Sequence, residues 1–200
     1  VGLSMLLRGL IDKLLLYKEH HIESDKQEYK EDFNTARGVT EQAKTICIEK
    51  LLIPFEGTGP MENGKFLAYK DPASIDGLPI TIAWGLTYHA DGTPVKIGEV
   101  WEYEYAVKVK SLVLDKFIKG VIELCPELVN EHPNKLAAIT SFAYNVGLGN
   151  LSKSTLRRKI NVKDYSAVPQ ELLKWNRASG KVMNGLTRRR KAEGDLFSRV

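Results

Sequence analysis

The spacing of apolar positions predicts a chain that is mostly helical, with one short extended region. From Thr40, a suitable N-cap, apolar residues recur at helical intervals, and Pro54 predicts that this helix ends or kinks beside Glu56. Residues 65–70 alternate as a strand, residues 78–84 predict a second strand, and a turn joins them. The pattern therefore predicts a small β-hairpin directly after a helix.

The rest of the sequence predicts helices. A long helix begins near Trp101, and Pro133 suits the first turn of the next helix, whose dense apolar face marks it as the most buried. Ser152 or Ser154 caps a short helix that ends near Ile160. The predicted buried positions are Ala106, Val109, Val113, Phe117 and Ile118 in the long helix and Leu136, Ile139, Phe142, Ala143 and Val146 in the next, and the last two helices are predicted at 168–176 and 186–197.

Residues 1–38 have a different pattern from the rest of the chain. Apolar residues recur at intervals of four and three from Leu3 to Tyr17, which predicts an amphipathic helix. Charged residues interrupt this stretch, which is shorter than the roughly 20 apolar residues that span a bilayer and lacks the unbroken apolar middle of a signal peptide. The sequence therefore predicts neither a full transmembrane span nor a signal peptide. Three roles stay open for the predicted helix, in this order: packing on the body, attachment to other chains, and a membrane signal-anchor.

A highly charged stretch follows and predicts a solvated helix or linker. We therefore expect an N-terminal helical extension and linker over 1–38 and one domain over 39–200. The chain begins with Val rather than Met, which indicates either a processed product or a piece of a longer protein.

The composition is that of a soluble globular protein, with 43% hydrophobic and 27% charged residues. The net charge of +4 includes a basic excess near the C-terminus, which suits an anionic polymer such as bacterial cell wall or nucleic acid, or else forms a solvated helix face. The basic residues of this region are Arg157, Arg158, Lys159, Arg188, Arg189, Arg190 and Lys191.

The cysteines and histidines do not form a pattern that binds metal. Cys47 and Cys125 lie in apolar helical stretches, form no CxxC pair and are predicted to be buried as small apolar residues. The four histidines are scattered, without Cys or carboxylate neighbours at metal-ligand spacing. The sequence thus disfavours metal or redox chemistry.

Three polar residues lie at the predicted helix end and in the hairpin. Glu56 ends the helix, Asp71 stands in the turn and Thr81 in the second strand. A general acid, a base and a hydroxyl that holds a water are what hydrolysis of a glycosidic bond needs, and they need no cofactor. Glu62 and Asp76 lie close enough in sequence to compete with Asp71 as the second carboxylate.

Several short motifs occur in a fixed order along the chain. They are Glu56-Gly57, Tyr69-Lys70-Asp71, Gly77, Thr81 and Gly85, then Phe142–Gly147, Ser154-Thr155-Leu156, Lys174-Trp175-Asn176, Gly180-Lys181-Val182, and Gly185-Leu186 with Arg189, Arg190 and Glu193. This order resembles the phage-type lysozymes of glycoside hydrolase family 24, over roughly residues 40–198. The chain departs from the family in longer intervals around Asp71, in Ala83 where a Gly is common, and in Leu86 where a His is common.

The resemblance implies an α+β, mostly α, lysozyme-like fold in which a long helix joins a small β-hairpin lobe to a larger helical lobe. It implies a muramidase that cuts the β-1,4 bond between N-acetylmuramic acid and N-acetylglucosamine, with inversion. Glu56 would be the general acid, Asp71 the base or electrostatic partner, and Thr81 the residue that holds the water. Arg189 would pair with Glu56 at the substrate site. Tyr144 and Asn145 would line the sugar cleft, although Tyr144 alone reads better as core.

The resemblance leaves other functions open. A lytic transglycosylase acts on the same polymer but needs no water-holding Asp/Thr pair, and a non-catalytic wall-binding part of a phage tail needs no Glu56. The expected partners are peptidoglycan glycan strands, not nucleic acid, with other phage tail or virion proteins as candidates for residues 1–38. The expected location is the host cytoplasm followed by export to the periplasm, or the virion tail.

Overall fold

The computed structural model describes residues 36–71 and 76–199. The chain divides into two units, Val1–Gly38 and Val39–Val200. The amphipathic helix predicted near the N-terminus lies outside the described residues, as does most of the turn after Asp71. The predicted division into extension and catalytic domain stays a prediction.

Helices make up most of the described chain. The first helical run comprises α1 (36–46), a π-helical segment (Cys47–Leu52) and α2 (Ile53–Glu56). The later helices are α3 (Tyr103–Leu124), α4 (Pro133–Val146), α5 (Leu148–Lys153), α6 (Thr155–Asn161), α7 (Val168–Leu173) and α8 (Asn184–Ser198), with 3-10 turns at Pro126–Asn130 and Tyr165–Ala167.

The strands are short and form three small antiparallel sheets. They are β1 (Met61–Glu62), β2 (Lys65–Leu67), β3 (Tyr69–Lys70), β4 (Ile80–Thr81), β5 (Val100–Trp101), β6 (Arg177–Ala178) and β7 (Lys181–Val182). β2 lies between β1 and β5, β3 pairs with β4, and β6 pairs with β7. The predicted hairpin is therefore present as β3–β4, but β1, β5 and the β6–β7 hairpin were not predicted.

Two clusters of buried residues form the core of Val39–Val200. The larger one lies among the helices and includes Leu114, Ile118 and Phe142, whereas the smaller one lies under the sheets and includes Phe66 and Trp84. α3 contributes its N-terminal residues to the small cluster and its C-terminal residues to the large one. The long helix therefore joins a sheet-containing lobe to a helical lobe, as predicted.

The predicted buried face of α3 is partly wrong. Ala106, Val109 and Ile118 are buried, but Val113 and Phe117 are only half-buried, and Leu114 and Val121 take their place. The buried stripe runs along residues four apart, because α3 packs against both clusters along one line of its surface. Lys110 lies on that line and is fully buried.

The predicted strands are longer than the observed ones. The segment 65–70 is interrupted at Ala68, whose backbone N–H donates to the Glu99 carbonyl rather than to a strand partner in its own hairpin. The second strand stops at Thr81 because the chain turns between Ile82 and Leu86. Likewise α7 ends at Leu173 rather than near residue 176, where the β6–β7 hairpin follows.

Ala83 lies in that turn with a φ of +50°. This left-handed conformation is strained for a residue with a Cβ and easy for glycine.

Within the part of the chain that the structure describes, no helix combines the length and apolar character needed to cross a membrane.

Candidate active site

The first helical run places Glu56 at its C-terminal end. Before Pro54 the helix widens into π-helical turns, so that the N–H of Ile53 donates to the carbonyl of Ile48, five residues back. The helix then continues through Pro54, which has no N–H to donate, and ends at Glu56. Gly57 follows with a φ of +71° and turns the chain away. The run therefore continues for two residues past Pro54.

Arg189 of α8 holds the Glu56 carboxylate. Its Nη1 donates to Oε1 of Glu56 at 2.5 Å, and the Glu56 side chain keeps 20% of its surface exposed while that of Arg189 keeps 5%. Arg189 is itself held, since its Nε donates to Glu193 at 3.3 Å and its Nη2 to Ser141 at 3.4 Å. The ion pair that the resemblance implied is present, and it fixes one oxygen of the Glu56 carboxylate.

A buried network supports this arginine. The Glu193 carboxylate accepts a hydrogen bond from Ser141 Oγ at 2.7 Å and lies 3.0 Å from Nε of Arg190. Arg190 is fully buried, lies over the ring of Phe142 and donates to Oδ1 of Asn145 at 2.9 Å. Asn145 is therefore tied to the same network as Arg189.

The Glu56 carboxylate opens into a cavity of about 510 Å³. Asn145 and Arg189 line this cavity together with Glu56, and side chains of α8 and the β6–β7 hairpin complete it. Asn145 is exposed at its wall, as a substrate contact should be, whereas Arg189 is nearly buried. The geometry favours Arg189 as the residue that positions Glu56.

Thr81 lies on β4, and Asp71 directly follows β3, its pairing partner. Tyr69 is opposite Thr81, and Asp71 follows two residues after Tyr69. Burial raises the pKa of the Tyr69 hydroxyl, and the charge of Asp71 adds to this. Thr81 is buried, and its hydroxyl donates to the Pro79 carbonyl at 3.2 Å, with its oxygen still able to accept.

The ring of Tyr69 connects this strand pair to the loop after Glu56. A Cβ at Gly59 would lie 2.5 Å from Cε1 of Tyr69, so the ring lies directly on the backbone three residues beyond Glu56. Any larger residue at 59 would push the ring and the β3–β4 pair away from the loop. Gly59 thus allows the strand that carries Asp71 to pack beside the Glu56 loop.

The competing carboxylates are placed differently. Glu62 is exposed on β1, in a sheet that does not include β3 or β4. Asp76 accepts a hydrogen bond from the N–H of Leu78 at 3.0 Å and so shapes the turn before β4. The choice of Asp71 as the second carboxylate stays a prediction.

Tyr144 lies away from the cavity beside Glu56. It is half-buried, packs against Phe117 with ring centroids 5.1 Å apart, and lines a second cavity of about 820 Å³ between α3 and the chain from Gly85 to Gly92. Burial raises the pKa of its hydroxyl to about 12, with a contribution from the negative charge of Glu56. Tyr144 is therefore both a core contact and part of a cavity wall.

Lys110 is a functional candidate that the sequence reading missed. Its Nζ donates to the Trp84 carbonyl and to the Tyr144 hydroxyl, both at 2.7 Å. The available signal was its position, since residue 110 lies four residues from both Ala106 and Leu114 in the buried stripe of α3.

The basic C-terminal residues do not form one exposed face. Arg189 and Arg190 are buried and paired with carboxylates, and Arg157 is half-buried with its guanidinium donating to the Leu124 and Ser152 carbonyls. The interpretation of these three arginines as a surface for an anionic polymer is wrong. Arg158, Arg188 and Lys191 remain exposed.

Both cysteines are buried, as predicted. Burial raises the pKa of each thiol, to about 11 for Cys125, which keeps both protonated and unreactive. Among residues 36–71 and 76–199, no three His, Cys, Asp or Glu side chains converge as the ligands of a metal would.

A small sheet-containing lobe, a helical lobe and a glutamate held at a helix end between them define a lysozyme-like protein. The endolysin from Escherichia coli O157:H7 phage FAHEc1 has a similar structure, with a TM-score of 0.60, 27% identity and coverage of 74% of this chain and 88% of that one. Residues 60–193 match the phage lysozyme family, and the chain belongs to that family.

Relatives support this assignment. A SAR-endolysin of Bacteriophage PS119 is 31% identical over 157 residues, which cover 76% of this chain and 85% of that protein. An endolysin of Bacillus phage B103 is 37% identical over 120 residues, which cover 60% of this chain. The match spans only 45% of the length of that Bacillus phage protein. Membership of the family supports a peptidoglycan-lysing activity.

Proposed function

We propose that this protein is a muramidase that hydrolyses the β-1,4 bond between N-acetylmuramic acid and N-acetylglucosamine in bacterial peptidoglycan. The observation that carries the proposal is the partly exposed Glu56 carboxyl, fixed by Arg189 at the edge of an open cavity. A single oriented carboxyl group at a cleft is what protonation of a glycosidic oxygen requires. No cofactor takes part, because side chains supply the acid and the base.

The proposed reaction proceeds with inversion. Glu56 gives its proton to the glycosidic oxygen as the bond from that oxygen to C1 breaks. A water held by Thr81 attacks C1 from the opposite face and passes its proton to Asp71. The products are a new reducing end and a free hydroxyl on the leaving sugar, so all atoms of the water are accounted for. Asn145 and Tyr144 are proposed to contact the glycan.

The products of digestion test this mechanism. We expect purified peptidoglycan treated with the protein to yield muramic acid ends that are reducing, because Asp71 and Thr81 supply a water. Mass spectrometry before and after borohydride reduction distinguishes them, since only reducing ends gain two hydrogens. Mainly 1,6-anhydro ends would instead identify a lytic transglycosylase, and an absence of glycan cleavage would leave a wall-binding tail component.

We also propose that residues 1–38 are an extension that attaches the protein to other phage tail or virion proteins. We propose that the protein acts either in the periplasm, after export from the host cytoplasm, or at the virion tail. Both clusters of buried residues lie between Ala43 and Phe197. The chain also divides into two units at Gly38, the boundary of the proposed extension.

Removal of residues 1–37 tests this division. We expect the shortened protein to unfold cooperatively within a few degrees of the full chain and to keep cell-wall hydrolysis, while losing co-sedimentation with phage particles. Calorimetry and turbidity clearing of cell walls measure the first two effects. A melting temperature lowered by roughly 10 °C, which is several kcal/mol for a chain of this size, would show that the extension packs on the body, and the attachment proposal would be dropped.

A further inference from the structure

We propose that Lys110 is a positioning residue that fastens the sheet-containing lobe to α4 beside Glu56 and presents its charge to that carboxylate. The part of this proposal that concerns activity rests on the hydrolase function proposed above. Neither the motif order nor the family match assigns a role to this position.

The contacts of Lys110 join three segments that are distant in sequence. From the middle of α3, its Nζ donates to the Trp84 carbonyl in the turn after β4 and to the Tyr144 hydroxyl on α4. The ammonium also lies 4.3 Å from the centroid of the Tyr144 ring. The Trp84 side chain belongs to the small buried cluster and Tyr144 packs against the large one. One side chain therefore bonds to both lobes.

The turn that Lys110 holds is the one that carries the strained Ala83. Residues 82–86 close on themselves through the Ile82 and Leu86 backbone, and Gly85 at their tip lines the cavity that Tyr144 also lines. A hydrogen bond to the Trp84 carbonyl fixes this turn against α3. Thr81, which begins the turn, is fixed with it.

The charges around Lys110 are those of the candidate active site. Glu56 from α2 stabilises the ammonium, whereas Arg189 from α8 opposes it, and the Cys47 thiol of the π-helical segment and the Tyr144 hydroxyl also face it. Burial lowers the pKa of Lys110 to about 8, and the charge of Glu56 acts against this. The same attraction acts on the Glu56 carboxylate, which is charged once its proton has been given to the leaving sugar.

A lysine at this position is costly to the fold. An apolar residue at position 110 would complete the buried stripe between Ala106 and Leu114 without desolvating a charge. Replacing buried charges by apolar residues is often neutral or stabilising. The contacts at Trp84, Tyr144 and Glu56 are what a lysine supplies and an apolar residue does not. These contacts indicate that Lys110 serves the candidate active site rather than the hydrophobic core.

The first experiment compares Lys110→Met with Lys108→Met. Methionine has a similar length but no charge and no donor, and Lys108 is exposed on the same helix. We expect Lys110→Met to lower turnover roughly 10- to 100-fold, as small displacements of a catalytic geometry do. Lys108→Met should match the wild type. Lys110→Arg, which keeps the charge and donors, should recover part of the loss.

The pH profile separates positioning from a general loss of structure. Lys110 loses its charge as the pH rises through its pKa of about 8, so the alkaline limb of the wild-type activity profile should contain a fall near this pH that Lys110→Met lacks. A merely structural defect would lower the rate by the same factor at every pH. A folded Lys110→Met with wild-type turnover and an unchanged limb would overturn the proposal.

An NMR titration of the intact protein needs neither activity nor a Lys110 variant. We expect the midpoint of the Lys110 side-chain signal to lie near pH 8 and to fall further in Glu56→Gln, because the carboxylate no longer stabilises the ammonium. A midpoint in the ordinary lysine range that does not change in Glu56→Gln would overturn the proposal. If this coupling is present but the wild type cleaves no glycan, the hydrolase function fails and the link between Lys110 and Glu56 stands.

Discussion

Glu56→Gln is expected to lose nearly all cell-wall hydrolysis while the protein folds normally. Glutamine keeps the shape of the side chain but has no proton to give to the leaving sugar oxygen, and general acid catalysis contributes about 10²- to 10⁴-fold in rate. The fold should survive because Arg189 keeps its contact with Glu193 when the Glu56 charge is removed. Clearing of cell-wall suspensions and release of reducing ends measure the loss, and calorimetry checks the fold.

The matched control is Glu49→Gln. Glu49 lies in the same helical run as Glu56 but is exposed, so the same chemical change should leave both activity and melting temperature within error of the wild type. A Glu56→Gln protein that clears cell walls at the wild-type rate would exclude Glu56 as the acid. Loss of activity in both variants would point instead to a general effect of charge on wall binding.

The helices and the residues of the candidate site follow from local patterns in the sequence. Pro54 and Gly57 mark the end of the first helical run, and the N-cap role of Ser154 is present, since it accepts from the N–H of Arg157. These signals are local, because a proline or a cap acts on the backbone within one turn. The position of Glu56 at a helix end was therefore predictable.

Contacts between distant residues were not predictable from local patterns. The pairing of Glu56 with Arg189 spans 133 residues, and family resemblance alone singled out Arg189 from its neighbours Arg188 and Arg190. Periodicity treats arginine as a surface residue, so it gave no sign that Arg190 is fully buried. Lys110 was missed for the same reason. Burial of a charge depends on a partner that another segment supplies.

The short strands were missed because their pairing depends on contacts between segments that are distant in sequence. β5 contains only Val100 and Trp101, and it pairs with β2 across a gap of more than thirty residues. Two residues are too few for a period-two pattern to be visible. The same limit applies to the β6–β7 hairpin, whose strands also contain two residues each.

Glu193→Gln is expected to cause the largest loss of stability. Glu193 is fully buried on α8, where it contacts Arg189, Arg190 and the hydroxyl of Ser141. Burial raises the pKa of this carboxyl and lowers that of Arg190, which shows how much desolvation the pair must offset. Removing one partner leaves a buried guanidinium uncompensated, which typically lowers the free energy of unfolding by about 3–5 kcal/mol. The expected fall in melting temperature is roughly 10 °C.

Two further variants show whether the unpaired charge is the cause. Asp195→Asn makes the same chemical change at an exposed position of α8 and should shift the free energy of unfolding by less than about 0.5 kcal/mol. A double variant, Arg190→Met with Glu193→Leu, removes both members of the buried pair, and Arg189 keeps its contact with Glu56. The double variant should be more stable than Glu193→Gln, because position 190 then carries no buried guanidinium without a carboxylate partner. If Glu193→Gln has the same melting temperature as the wild type, the buried network does not stabilise α8. If the double variant is the least stable of the three, the loss comes from packing and not from charge.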